Sequence, residues 1–254
     1  MSDELVAWAA GLYDGEGSSS MYVPRHRKAA RRQMQVSQGG VPGVHPAVLV
    51  RFREIVGEGS VTGPYGGDLY YWKTTRKDSL DDIARLLWPY LGAEKRAQFA
   101  AMTESAGRSF IADGARSRRP MTERAWAAGL FDGEGSVWVT TSRDRPNWRG
   151  VAMELPQSSA VGCPEALTRF REIVGVGAIG RPRIQHNPWS RKPQYRWRTS
   201  GRHAVSQVVR VLWPWLAVVH RAQLHELREL LDPDIAVLAR QTESRVQLIS
   251  APGS

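Results

Sequence analysis

The sequence is poorest in cysteine. Cys163 is the only one among 254 residues, so no intramolecular disulfide can form and a cysteine-based metal site is excluded. Histidines number six and show no ligand spacing, and no glycine-rich phosphate loop or nucleophile elbow is present. That leaves little room for a nucleotide-cradling fold or a serine hydrolase. No long apolar run interrupts the chain, and the first residues, Met1-Ser2-Asp3-Glu4, are acidic rather than basic. The expectation is a soluble intracellular protein with no signal peptide, no transmembrane segment and no membrane partner. Acidic residues are also in the minority, 25 against 35 Lys and Arg, giving a net charge of +10. A positive field of that size points to a polyanion, and 42% hydrophobic content puts the charge on a folded body rather than a tail.

What the chain does have is one stretch written twice. Trp8-Ala9-Ala10-Gly11-Leu12-Tyr13-Asp14-Gly15-Glu16-Gly17-Ser18 returns as Trp126-Ala127-Ala128-Gly129-Leu130-Phe131-Asp132-Gly133-Glu134-Gly135-Ser136, differing only at Tyr13 against Phe131. A second stretch, Arg51 to Gly57, returns at the same spacing as Arg169 to Gly175. The repeat divides the chain into two domains of ordinary size. They are expected at 1–106 and 121–231, with a linker at 107–120 and a C-terminal extension at 232–254.

Each copy reads as the last turns of a helix running into a strand. Leu5, Trp8 and Leu12 form one apolar stripe. Ala7 with Gly11, and Ala10 with Asp14, put small residues a turn apart, which lets two such helices approach closely. Glycines after the helix are expected to take positive φ and turn the chain into the strand. Asp14 and Glu16 are anomalous, because acids are disfavoured at a helix carboxyl end. A plain C-cap and turn is one reading of Gly-Glu-Gly. The other is that two packed helices bring Glu16 and Glu134 together, and hard carboxylate oxygens with water and a phosphate suit Mg²⁺.

Strand alternation supplies the rest. Met34 and Val36 face inward, with Arg31, Gln33, Gln35 and Ser37 outward; Tyr70, Trp72 and Thr74 oppose Tyr71, Lys73 and Thr75. In the second half Met153 and Leu155 lie inward, Glu154 outward, and Tyr195, Trp197 and Thr199 oppose Arg196, Arg198 and Ser200. Each half runs helix, two strands, helix, two strands, two helices. The fold class is α+β: two pseudo-symmetric αββαββα(α) domains, each a four-stranded antiparallel sheet backed by helices, forming a cationic saddle for duplex DNA. Candidate DNA contacts are Ser20, Tyr22, Arg31, Gln33, Gln35, Tyr71, Lys73 and Thr75 in the first half. In the second they are Trp138, Thr140, Arg143, Glu154, Arg196 and Arg198, with Arg181, Arg183, Arg191 and Lys192 from an insertion between Gly180 and Arg196. The basic turn holding Arg25, Arg27 and Lys28 is either a solvated hairpin tip or a loop on the phosphate backbone. The two faces differ, so the target is expected to be asymmetric.

The repeated motif resembles that of the LAGLIDADG homing endonucleases. Ala10-Gly11-Leu12, Asp14 and Gly17 match its letters, as do Ala128-Gly129-Leu130, Asp132 and Gly135; glutamate stands at Glu16 and Glu134 for the family's second aspartate. The resemblance implies a monomeric, site-specific endonuclease that needs no protein partner. It would cut a long double-stranded DNA target to a staggered break with 3′ overhangs. It implies Mg²⁺ or Mn²⁺ held by Glu16 and Glu134 with backbone near Gly15 and Gly133, Ca²⁺ being expected to bind without supporting turnover. Gln38 and Gln157 match the position that holds the attacking water. Lys95 with Arg96, and His220 with Arg221, lie near the family's basic support residues, as catalytic groups or as phosphate contacts. The alternative function is a catalytically silent nucleic-acid binder on the same fold, an intron-splicing RNA maturase or a DNA-binding regulator.

Overall fold

The computed structural model describes residues 1–23, 29–110, 119–184, 192–235 and 237–238. Two compact units divide the chain, Met1–Glu134 and Gly135–Ser254.

The first unit opens with α1 (Asp3–Glu16), started by the Ser2 hydroxyl, which accepts from Leu5 N at 3.4 Å, and by Asp3 and Glu4 in the first turn. Strands β1 (Gly17–Tyr22) and β2 (Arg31–Gly39), helix α2 (Ala47–Val56), strands β3 (Ser60–Tyr65) and β4 (Leu69–Thr74), and helices α3 (Lys77–Leu87), α4 (Ala93–Ser105) and α5 (Pro120–Glu134) follow. Proline at the first position of α5 costs no hydrogen bond, and Thr122 closes that end by accepting from Arg119 N at 3.2 Å. The sheet is antiparallel in the order β1-β2-β4-β3.

The second unit repeats this frame: β5 (Ser136–Thr141), β6 (Arg149–Ser158), α6 (Glu165–Val174), β7 (Ala178–Ile179), β8 (Gln194–Ser200), α7 (Arg202–Leu212), α8 (Val218–Glu226) and a 3₁₀ turn at Arg228–Leu230. Its sheet has the order β5-β6-β8-β7, again antiparallel. The chain is therefore α+β, with two four-stranded antiparallel sheets backed by helices. Among the described residues no helix is long and apolar enough to cross a membrane.

One packing unit recurs in both cores. Phe52 meets Trp72 edge-on at 4.8 Å, and the Trp72 indole donates to Glu58 O at 2.9 Å; Phe170 meets Trp197 at 4.9 Å, and that indole donates to Val176 O at 3.0 Å. Gly59 (φ 89°) and Gly177 (φ 86°) lie on these indoles, where a Cβ would come within 2.6 Å of the ring nitrogen in each case.

Two expectations are corrected, and two features add to the sequence reading. Gly17 leaves α1 at φ −76°, an extended conformation, not a left-handed one. It is needed for space, since a Cβ there would come 2.4 Å from the Tyr13 ring. Leu5 stands 36% exposed, so the apolar stripe of α1 begins at Trp8. Arg32, on the inward face of β2, is buried beside the half-buried Asp81 (2.5 Å) and the Lys77 carbonyl (3.2 Å), an ion pair at the edge of the core layer that alternation of apolar residues does not reveal. The start of the 107–120 segment is tied down: Phe110 packs on Trp88 (5.0 Å) and Phe99 (4.8 Å), and Arg108 reaches Asp81 at 3.5 Å. Much of the rest of that segment, and most of 232–254, lies outside the described residues.

Candidate active site

Small residues decide how the two motif helices meet. A Cβ on Gly11 would sit 1.9 Å from Trp126 O, and one on Gly129 would sit 1.9 Å from Trp8 O. Each glycine thus rests on the other helix's backbone, a contact that even a methyl group forbids. One turn further on, a Cβ at Gly15 would lie 3.2 Å from Glu134 Cγ, and one at Gly133 would lie 3.1 Å from Glu16 Cγ. The stem of each motif glutamate therefore lies against the other helix's glycine, and the two acids share one seam.

The two acids of each motif have different surroundings. Asp14 is buried and accepts from the Trp126 indole at 2.7 Å and from Gly92 N at 2.8 Å, at the amino end of α4. Asp132 is buried and accepts from the Trp8 indole at 2.8 Å. The helix-end anomaly at Asp14 is thus met by protein donors and a helix amino end, with the Lys95 charge close by. Trp8 also carries the Arg51 guanidinium 4.0 Å above its ring.

Glu16 keeps open coordination. Among the described residues its carboxylate has one hydrogen bond, from Ser37 Oγ to Oε2 at 3.2 Å. Burial pushes its carboxyl up to about 7, against the opposing pull of the Ser37 hydroxyl and the Lys95 charge. Lys95 Nζ donates to Gly17 O at 2.5 Å; burial holds its ammonium below the usual lysine range, although Asp14, Glu94, Glu134 and Glu16 all pull the other way. No group of three or more His, Cys, Asp and Glu side chains gathers as a ligand cluster among the described residues. Two carboxylates at one seam without a full protein cage suit a hydrated divalent cation. In the second unit His220 is buried and its Nε2 lies 3.2 Å from Gly135 O, so that nitrogen carries the proton. Relative to the repeat, it takes the place that Lys95 takes on Gly17 O.

Gln38 sits at the end of β2 on the face shared with Met34 and Val36, opposite Tyr70, and its buried Oε1 has no partner among the described residues. Ser37, on the other face, is the β2 residue that reaches Glu16. Gln157 closes β6 opposite Tyr195.

The outward faces hold most of the expected DNA contacts. Ser20 pairs in register with Gln33, Tyr22 with Arg31, and Gln35 with Lys73, and Gln33 Nε2 donates to Gln35 Oε1 at 2.8 Å. Lys73 lies over the rings of Tyr71 (4.1 Å) and Tyr65 (5.5 Å), and Thr75 follows directly after β4. In the second unit Trp138 and Thr140 share one face of β5, Arg143 is exposed beyond it, and Arg181, Arg183 and Lys192 are exposed. Arg196 and Arg198 are not free cations: Glu154 accepts from Arg196 at 3.0 Å and from Arg198. Arg25, Arg27, Lys28 and Arg191 lie outside the described residues.

This arrangement defines a class of fold, that of the LAGLIDADG homing endonucleases. Among solved structures of that class, I-AabMI bound to uncleaved DNA matches with a TM-score of 0.62 at 14% identity, over 94% of this chain and 92% of that one. I-GzeII in complex with its DNA target matches at 0.55 and 14%, over 96% and 92%. The K262A mutant of I-SmaMI matches at 0.53 and 11%, over 92% and 97%. No sequence-family model matches the chain, nor does any curated protein.

Proposed function

We propose that this chain is a site-specific endonuclease of the LAGLIDADG homing type, cutting an asymmetric double-stranded DNA target with a divalent cation, Mg²⁺ or Mn²⁺. One observation carries the reading: reciprocal glycine contacts bring Glu16 and Glu134 to a single seam, and Lys95 stands beside Glu16 within reach of both charges. The DNA carried by I-AabMI and I-GzeII on the same fold supports the choice of substrate.

In this reading Glu16 and Glu134, with backbone oxygens at Gly15 and Gly133, hold the cation. When bound, it supplies Lewis-acid stabilisation of the scissile phosphate and a lowered pKa for the attacking water. Lys95 sets a positive charge beside the phosphate, its Nζ steered by Gly17 O, and His220 does the corresponding work in the second half. Gln38 and Gln157 orient the attacking water. The polar strand faces bind the duplex, Gln33 and Gln35 reading base edges and the arginines meeting guanine or phosphate. The product is a staggered break with 3′ overhangs. The chain acts as an intracellular monomer, with 1–106 and 121–231 as its two repeats, 107–120 as linker and 232–254 as extension.

The test is a selection from a random duplex library with purified protein, run in Mg²⁺ and in EDTA. Breaks at one sequence in Mg²⁺ alone support the endonuclease. Sequence-selective binding with no breaks in either condition overturns it in favour of a silent binder.

A further inference from the structure

The two central strands of the second sheet, β6 and β8, carry an ion-paired cluster on their outward face. Glu154 Oε1 accepts from Arg196 at 3.0 Å, Glu154 Oε2 accepts from Arg198 Nε, and Arg196 Nε donates to Gln194 Oε1 at 2.9 Å. Side-chain exposure falls from Arg198 (49%) through Arg196 (29%) to Glu154 (12%), so the carboxylate is covered and Arg198 is the outermost group.

An untethered arginine turns about several torsions and meets whichever acceptor is near. Arg198 is tied by Nε, the nitrogen nearest its stem. Among the described residues its two terminal nitrogens take no protein partner. They form the fork that matches the O6 and N7 acceptors of guanine in the major groove. The carboxylate disfavours phosphate at this place, because a negative charge held against both guanidinia repels a phosphate oxygen and hardly affects a neutral base edge. The first sheet has no such fork. Ser18 faces Gln35 as Ser136 faces Glu154, and Gln35 faces Lys73 as Glu154 faces Arg198. There Gln35 accepts from Gln33, and Lys73 lies over two tyrosine rings.

We infer that Glu154 is a positioning residue for base recognition: it holds Arg198 so that the two terminal nitrogens meet O6 and N7 of one guanine, in the half-site bound by the second unit. The inference rests on the duplex-binding part of the reading above and not on cleavage.

The test begins with selection of bound duplexes from a random library in EDTA, which yields a target without cutting. Affinity is then measured with every base pair in turn at each position of that target. One guanine is preferred by about ten- to a hundredfold, and 7-deazaguanine in its place, lacking the N7 acceptor, weakens binding about tenfold. Arg198→Lys keeps the charge but has no fork, and it abolishes both effects at that position alone. Glu154→Gln cuts the preference about tenfold there, while the other positions keep theirs and affinity for unrelated duplex rises. The lysine variant and the modified base leave Glu154 in place, so they test the fork even if Glu154→Gln does not fold. A profile unmoved by Arg198→Lys makes Arg198 a phosphate contact. A guanine preference that survives Glu154→Gln removes Glu154 from recognition, and weakening at all positions with a lower melting temperature makes its role structural. Each of these results overturns the inference and leaves the endonuclease reading standing. If the protein selects no duplex, that reading falls and this inference falls with it.

Discussion

The Trp8 indole donates to Asp132 Oδ2 at 2.8 Å, and the Trp126 indole returns the bond to Asp14 at 2.7 Å, so each motif tryptophan holds the aspartate of the other copy. Both acceptors are buried. Trp8→Phe keeps most of the apolar surface but removes a donor from a buried carboxylate. It should lower stability by about 1–3 kcal/mol, read as a shift in the urea midpoint.

Close approach sets a second expectation. Gly11→Ala drives a methyl group into Trp126 O, which backbone cannot yield, and should cost about 1–3 kcal/mol or more. Gly39→Ala, where nothing lies within 4 Å, should leave thermal unfolding nearly unchanged and serves as the control.

Stability should depend on pH through Glu16. Its carboxyl is pushed up to about 7 from 4.5, so the folded chain binds a proton that the unfolded chain has released. The sign follows: this contribution is fully present below about pH 4.5, and it is lost as pH rises to about 7, a loss of at most about 3 kcal/mol. Glu16→Gln, uncharged throughout, should therefore melt higher than the unmodified protein at pH 8 and show a flatter pH profile. Mg²⁺ added at pH 8 should raise the melting temperature of the unmodified protein more than that of the variant.

Lys95→Met removes the ammonium on Gly17 O while keeping the aliphatic stem. Cleavage should fall about a hundredfold with duplex affinity little changed, measured by single-turnover rates and a binding titration.

Glu154 restrains two arginines on the outward face of the second sheet. Glu154→Gln should free them for phosphate, tightening non-specific duplex binding. The slope of log affinity against log salt should steepen by about one for each phosphate newly met.

The fold was legible because its signals are local and written twice: alternation along Tyr70, Trp72 and Thr74, helix ends at Gly57 and Gly175, and the motif itself. Glu16 could be singled out because an acid at a helix carboxyl end contradicts a local rule. Asp14 breaks the same rule, yet its donors are an indole and an amide far away in sequence, and no spacing announces such a partner. Arg32 escaped notice for a related reason, since its cost is offset by Asp81 across the core layer. Ser37 read only as one more outward polar residue. Its bond to Glu16 depends on a side-chain direction that alternation does not encode.

The contact between α1 and α5 is self-complementary: what Gly11 does to the far backbone, Gly129 does in return. A surface that fits its own copy needs no covalent tether to find it. A shortened chain ending before Pro120 would display that stripe unmatched, and two such chains should pair through it, so that the 254 residues amount to a dimer whose two partners have been written into one polypeptide and thereby freed to diverge.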